Sequence, residues 1–600
     1  MPHANTPPGP GASPASERPV SERLARLLAA MEPQEYEGPS KVCTLEEAIA
    51  THVKPGHHVF LSQRAYAGLF ALLRRFWGSR PNFTLSSIMT SELMLLLVYG
   101  GLVRKLVTSS VWGPVGRGTR YQQAVRQGGL QAEMWTIHTI ILRLMAGGSG
   151  VPFLPTRSII GSSLAQELPG DAYAEVPNPF GSPDPVALVA ALRPDVAIIH
   201  GLVADPAGNT VLVPDWSVDA WGARACRGSV IVHVDKIVST QAIRRHAPLV
   251  KVPGHMVSAV CPAPFGGFPG TVYNGWVGEV PSYLGDREFS RSCVRAVRGR
   301  QEEFDAWVQE WVQGPATHEA FLEHLGRQRL GQLQAEAEAQ LQHGLAPVPS
   351  PTSEGYDDRE MMTVATARKI AEVVRRNGYR FIQTGPGLSA PATYLAYYLL
   401  REQGYDVEVM SGFGNFAYLP QGYAISSIQH LATPKLLGDM FEMYSAFLRG
   451  PDSPSLAVLG IVEIDKSGNI NTSRLDDGTL MGGSGGHNDC AMGAGEVLIF
   501  APMEPRRFRD RLGFVTTPGD RVRTVVTDLG ILEKVRGQAE LVLTSYYSTA
   551  GASAEEAVAT IRGRCGWDLQ VAADLRREPP PAMEELVILR RLDPERRALE

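Results

Sequence analysis

Two stretches decide the fold: VAIIHGLVADPAGNTVLV at residues 196–213 and LAVLGIVEIDKSGNINTS at residues 456–473. In each, an apolar run leads into Asp-x-x-Gly-Asn, Asp205 to Asn209 in the first and Asp465 to Asn469 in the second. A short run rich in β-branched residues reads as a buried strand. Asp opens a turn by accepting bonds from backbone ahead of it, and Gly-Asn suits positive φ, so each stretch reads as strand, turn, strand. A single such turn is common. Two of them, on matching strands in the two halves of the chain, predict two copies of one fold.

Outward from these stretches, strand-like and helix-like segments alternate. In the first part, Ser229–Val234 is another apolar run, and Tyr121 to Gly147 reads as one helical segment with a glycine stop. In the second part, a helix over Met361–Asn377 precedes a strand over Arg380–Thr384, which runs into Gly385-Pro386-Gly387. A helix from about 390 to 403 and a strand over Val407–Met410 follow. This rhythm predicts an α/β protein of two similar, open, mainly parallel sheet domains, arranged as a pseudo-dimer. The expected divisions are a disordered Pro- and Ser-rich tail over 1–21 and a first domain over 22–300. A helical region and linker follow over 301–357, with Phe304, Trp307 and Trp311 at helical spacing, and a second domain covers 358–600.

Composition narrows the function. Lys plus Arg is 57 against 62 Asp plus Glu, a formal charge of −5, which disfavours an electrostatic nucleic-acid binder. Six scattered Cys with no Cys-x-x-Cys pair make neither a disulfide framework nor a zinc ribbon. The longest apolar run, Leu93 to Val103, contains Gly100 and Gly101 and is too short to span a bilayer. The N-terminus has no apolar signal segment. The expectation is a cytoplasmic protein with no metal, nucleic-acid or membrane partner.

Several longer motifs resemble the class I CoA-transferases, with their two subunits fused in one chain. CTLEEAIATHVKPGHHV from Cys43, VPFLPTRSIIGSS from Val151 to Ser163, RPDVAIIHGLVADPAGN from Arg193 and VKVPGHMVSAVCPAPFGGFPG from Val250 to Gly270 resemble the alpha part of the glutaconate CoA-transferase branch. GIVEIDKSGNINTS, GGSGGHNDCAMGA from Gly482 to Ala494 and VVTDLGILE from Val525 to Glu533 resemble the beta part. The resemblance implies an active site at the domain interface, an acyl-CoA substrate, coenzyme A as part of the substrate with no other bound cofactor, and a homodimer as the assembly. It also implies CoA transfer to a carboxylate through a glutamate that attacks the thioester, with backbone amides stabilising the oxyanion.

The chain departs from that pattern where the glutamate belongs. The matching stretch is VEVMSGFGNFAYLP, Val407 to Pro420, and the position falls at Ser411 to Phe413, where there is no Glu. Glu408 lies earlier, in the expected strand. Ser411 could attack only with an adjacent base. Family relatives that act as hydrolases use an alpha-part glutamate as a base, and Glu133 lies in that region here. In a mostly apolar segment, burial is expected to raise its pKa and suit it to that task. Decarboxylating relatives carry Cys at the old glutamate position, and none lies between Thr384 and Pro420. Three readings stay open: CoA transfer, C–C hydrolysis or decarboxylation with Glu133 as base, and an inactive acyl-CoA-binding relative. The expected CoA-binding residues are Arg157, which can grip phosphate or carboxylate, Gly385 and Gly387 after a strand, and Gly483, Ser484, Gly485 and Gly486 of the Gly-rich loop. His138 and His200 read as packed histidines, and Asn488 or Asp489 as a helix cap.

Overall fold

The computed structural model describes residues 20–343, 355–535 and 537–596. The tail expected to be disordered and most of the linker lie outside these residues, while Val20–Met31 forms a helix. In the first half the parallel strands are β1 His58–Leu61, β2 Phe83–Ser86, β3 Val103–Thr108, β4 Gln131–Met134, β5 Val196–Ala204, β6 Ser229–Ile237 and β7 Ala259–Pro262. Pairing sets their order as β7-β6-β5-β1-β2-β3-β4. In the second half they are β8 Phe381–Thr384, β9 Glu408–Ser411, β10 Ser455–Gly460, β11 Glu496–Phe500 and β12 Val522–Val526, ordered β12-β11-β10-β8-β9. The second order repeats the first, strand for strand, from β7 to β2. β5 and β10 are the two apolar runs on which the sequence reading turned, and every residue of β5 is buried. Continuous burial of this kind is what a parallel strand covered on both faces requires.

The two Asp-x-x-Gly-Asn turns match bond for bond. The Asp205 carboxylate accepts from the Asn209 backbone N–H and side-chain amide, both at 2.9 Å. Asp465 does the same with Asn469 at 3.0 and 2.9 Å. The Asn209 side-chain carbonyl oxygen then accepts from Gly254 N–H, and that of Asn469 from Gly519 N–H. Gly208 and Gly468 take φ of +99° and +81°, which a side chain would oppose. Each turn is a small plug whose buried carboxylate is bonded on both oxygens.

Between the halves run helices over 287–298, 301–308, 318–325 and 327–343. We label Ile137–Gly148 α1, Arg287–Arg298 α2, Arg327–His343 α3, Ser389–Glu402 α4, His487–Gly493 α5 and Met583–Leu592 α6. Phe289 of α2 packs against Trp307, Trp311 and Phe321, which fastens the helical region to the first half. The single helix expected over Tyr121 to Gly147 is instead a short helix over Arg120–Arg126, then β4, then α1. Gly128 and Gly129 break it, and the four residues of β4 gain ladder bonds from β3 that no local propensity encodes.

Candidate active site

The loop Gly482–Gly486 is where the two halves meet. Val111 N–H donates to Gly482 O at 2.7 Å, Gly485 N–H donates to Ser109 O at 2.9 Å, and Ile137 N–H donates to Gly485 O at 3.0 Å. Gly483 lies flat against the backbone leaving β3, where an added Cβ would sit 2.8 Å from Ser109 O. The glycines expected at this loop therefore serve close backbone approach between halves. The same extended segment reaches back to the loop after β2: Thr90 N–H donates to Ser110 O, and Trp112 N–H to Thr90 O. Loops at the carboxyl ends of parallel strands from both halves thus form one continuous network, the usual place for a site in open α/β sheets.

Ser411 ends β9, one residue beyond the strand expected over Val407–Met410. Its Oγ is buried and has no hydrogen-bond partner among the described residues, so no base holds it ready. At the next position, a Cβ built on Gly412 would overlap the Tyr444 hydroxyl, and so would one on Gly486. Tyr444 occupies the space that a side chain between β9 and the Gly-rich loop would need. Glu408 stands three residues before Ser411, about 10 Å up the strand, and pairs with Lys435. It does not reach the carboxyl ends of the strands.

Glu133 is placed differently from the expectation. It lies in β4, buried, with Oε2 2.6 Å from Lys105 Nζ and Oε1 3.0 Å from Arg143. Trp135 donates its indole N–H to Oε1 at 2.7 Å, and the Arg143 guanidinium lies 4.2 Å from the Trp135 ring centroid. Burial pushes the carboxyl up, but the Lys105 and Trp135 hydrogen bonds and the charge of Arg143 together hold it below the usual carboxylate range. The raised pKa expected of a lone acid in an apolar segment does not arise, because the fold brings Lys105 and Arg143 to it.

Neither Asn488 nor Asp489 caps α5 as expected: its N-cap is Gly486, without a side-chain cap bond, and both residues lie inside the helix. Asp489 Oδ2 accepts from His138 N–H at 3.0 Å across the seam, while Oδ1 is buried with no hydrogen bond among the described residues. Burial raises its pKa from 3.8 to about 6. The His138 ring, beside Ser158, is depressed to about 4 by the same desolvation. A carboxyl whose pKa is raised on folding opposes stability once pH exceeds its unfolded value, and the penalty is complete above the folded value. Asp489→Asn is therefore expected to stabilise the protein at pH 8 by about 2–3 kcal/mol, with the gain vanishing near pH 4. Urea titrations at the two pH values check this, and an equal change at both would refute it.

A large cavity adjoins the Ser110–Trp112 segment at Trp112. Its volume is about 1,690 Å³, and Arg64, Glu92 and Trp112 form part of its wall. Trp112 Nε1 donates to Ser110 Oγ at 3.1 Å, which ties this part of the wall to the Gly-rich loop. Arg64 lies 5.0 Å from the Trp216 ring, and Trp216 packs on Phe413 at 5.3 Å, which ties it to the loop after β9. Glu92 sits in the loop after β2, with no ion pair among the described residues, and burial pushes its carboxyl above the ordinary value. The sequence reading passed over Glu92; the available signal was a lone carboxylate at the head of the apolar run Leu93 to Val103. Among the described residues, the cavity lining does not include Gly385, Gly387, Arg157 or the Gly-rich loop. Gly387 takes φ of +77° in the turn into α4, and Ser389 Oγ donates to Gly385 O at 2.7 Å. Arg157 lies at the seam and donates to the Arg449 carbonyl.

Among the described residues, no three His, Cys, Asp or Glu side chains are grouped to hold a metal, and no helix is long and apolar enough to cross a membrane. A family model described as Coenzyme A transferase matches residues 42–263, and one described as Citrate lyase, alpha subunit (CitF), matches 450–542. One of the glutaconate CoA-transferase subunits of Acidaminococcus fermentans is 29% identical over 48% of this chain and 93% of its own. Two 3-oxoadipate CoA-transferase subunits of Pseudomonas knackmussii are also similar. The first is 31% identical over 46% of this chain and 94% of its own, and the second is 28% identical over 40% and 94%. The crystal structure of an acyl-CoA transferase from E. coli O157:H7, a thioester complex with CoA, covers 93% of this chain and 98% of its own with a TM-score of 0.62. At 15% identity that likeness speaks for the fold alone.

Proposed function

The chain belongs to the coenzyme A transferase family, and on that footing we propose that it is an enzyme that processes an acyl-CoA thioester between its two halves without a glutamyl-enzyme intermediate. The observation that carries this reading is the Tyr444 hydroxyl packed against Gly412, which leaves no space at that point for an attacking side chain. In its place, an oxygen nucleophile attacks the thioester directly, and where that nucleophile is water Glu92 takes its proton. Glu92 suits the role because it lines the cavity, has no ion pair among the described residues, and is made more basic by burial. Glu133, held by two cations, serves the shape of the site instead. The Gly483–Gly486 loop, the Gly385–Gly387 turn and Arg157 do not line the cavity, so their part is in the framework around the substrate rather than in touching it. When water is the nucleophile, the reaction is hydrolysis to the free acid and CoA thiol; when it is a carboxylate co-substrate, its attack expels CoA thiolate and leaves a mixed anhydride, and the thiolate then attacks the acceptor's carbonyl and expels the donor carboxylate, which completes CoA transfer through a ternary complex. The cytoplasm and a homodimer are the proposed setting.

A panel of acyl-CoAs, with and without carboxylate acceptors, tests this by free-thiol release and product masses. Release of thiol, or CoA on the acceptor with sequential rather than ping-pong kinetics, is expected. Thioester that is bound but never converted would contradict the reading. Glu92→Gln is expected to lower hydrolytic turnover at least a hundredfold and to abolish the acid limb of its pH–rate profile, because a base must be deprotonated to act. A variant with wild-type turnover would remove Glu92 from the mechanism.

A further inference from the structure

Much of the cavity wall is built from parts of the chain that no family motif covers. α3 spans both halves there. Arg329 pairs with Asp286 at 2.6 Å, and Leu284 N–H donates to Leu333 O at 3.1 Å, which holds α3 to the first half. Ala337 packs with Ile428 and Leu431, and Gln429 donates to Gln340 at 3.3 Å, which holds it to the second. The end of α6 completes this wall with Arg591. At about 1,690 Å³ the cavity exceeds the roughly 300–1,000 Å³ of sites for drug-sized ligands, so it has room for a larger, extended one.

The uncommitted charge on this wall is mainly positive. Arg287, Arg291 and Arg591 line it; none forms an ion pair among the described residues, although Arg291 is near enough for its charge to act on the Glu288 carboxylate. The carboxylates of Asp286 and Glu288 are already paired, with Arg329 and Arg295, and Asp593 and Glu595 are engaged as well. Glu336 is the acid of this wall that has no ion pair among the described residues. Three guanidiniums facing one space repel unless an anion joins them, and their planar forks match phosphate oxygens. Arg287 also stands 5.3 Å from the Tyr423 ring of the second half, an arrangement suited to a flat aromatic base.

We propose that Arg287, Arg291 and Arg591 bind the phosphates of the adenosine end of the CoA thioester, with Tyr423 against the base, so that the acyl end points towards Glu92 and Trp112. The inference rests on the thioester reading above and adds where the nucleotide lies. The test uses adenosine 3′,5′-bisphosphate as a probe of the nucleotide end alone, titrated calorimetrically into the full chain. The wild-type protein is expected to bind it, and the triple variant Arg287→Ala/Arg291→Ala/Arg591→Ala at least tenfold more weakly. The preference for a CoA thioester over the pantetheine thioester of the same acyl group is expected to fall at least tenfold as well. Melting curves confirm the fold of the variant. Equal affinity of the two proteins, or no binding to the wild type, would overturn the site. If pantetheine thioesters are still converted in that case, the thioester reading stands; no turnover of either thioester would sink that reading instead.

Discussion

Arg143→Met is expected to destabilise the protein by about 3 kcal/mol at pH 7.5, more than an ordinary core substitution of similar volume. The reason lies in what it leaves behind. Glu133 is buried, and its charge is balanced by Arg143 at 3.0 Å and Lys105 at 2.6 Å. Methionine keeps the stem volume but strips one cation, the bond to Ala190 O and the stacking on Trp135. Lys105 remains, which keeps the loss at the lower end of the range for breaking a buried pair. The pH dependence fixes the cause. Glu133 is held below its ordinary value of 4.5 in the folded protein, so its contribution is present at neutral pH and fades as pH falls through the folded value. The penalty of the variant is therefore larger at pH 7.5 than at pH 4. The double variant Glu133→Gln/Arg143→Met is expected to lose less than the sum of its singles. Urea titrations measure all of these, and a pH-independent penalty would point to packing rather than charge.

Gly412→Glu is the second large effect. Restoring the family's carboxylate looks like a gain of function on paper, yet the new side chain would enter space held by the Tyr444 hydroxyl. Tyr444 and Met410 are buried in the same core, so neither side yields easily. The single variant is expected to be destabilised by about 2–3 kcal/mol and to form no glutamyl adduct. Paired with Tyr444→Ala, which empties the slot, Gly412→Glu is expected to become trappable as a glutamyl-CoA thioester. An adduct in the single variant would show that Tyr444 does not guard the position.

The fold was legible because its decisive signal is local and doubled. Asp205 and Asp465 each close a turn within five residues, and β5 and β10 are largely apolar runs buried along nearly their whole length. The site was legible only where it is backbone. Gly483 and Gly485 stand at the seam where the loop bonds the backbone after β3, and at Gly483 an added side chain has no room, a constraint that leaves glycine in the sequence. The side-chain part was hidden because its partners come from distant strands. Nothing near Glu133 in sequence announces Lys105, on the neighbouring strand β3, and nothing near Gly412 announces Tyr444. Glu92 was hidden for the opposite reason: what marks it is the lack of an ion-pair partner among the described residues, which only the fold can display.

The most direct test of a mechanism without a glutamyl-enzyme is a covalent trap. The protein is incubated with a converted acyl-CoA, treated with hydroxylamine, digested, and the peptides spanning residues 407–420 are weighed. The predicted result is that thioester is consumed while every one of those peptides keeps its unmodified mass. A hydroxamate on Glu408, or an acyl group on Ser411 in a portion digested without hydroxylamine, would contradict it.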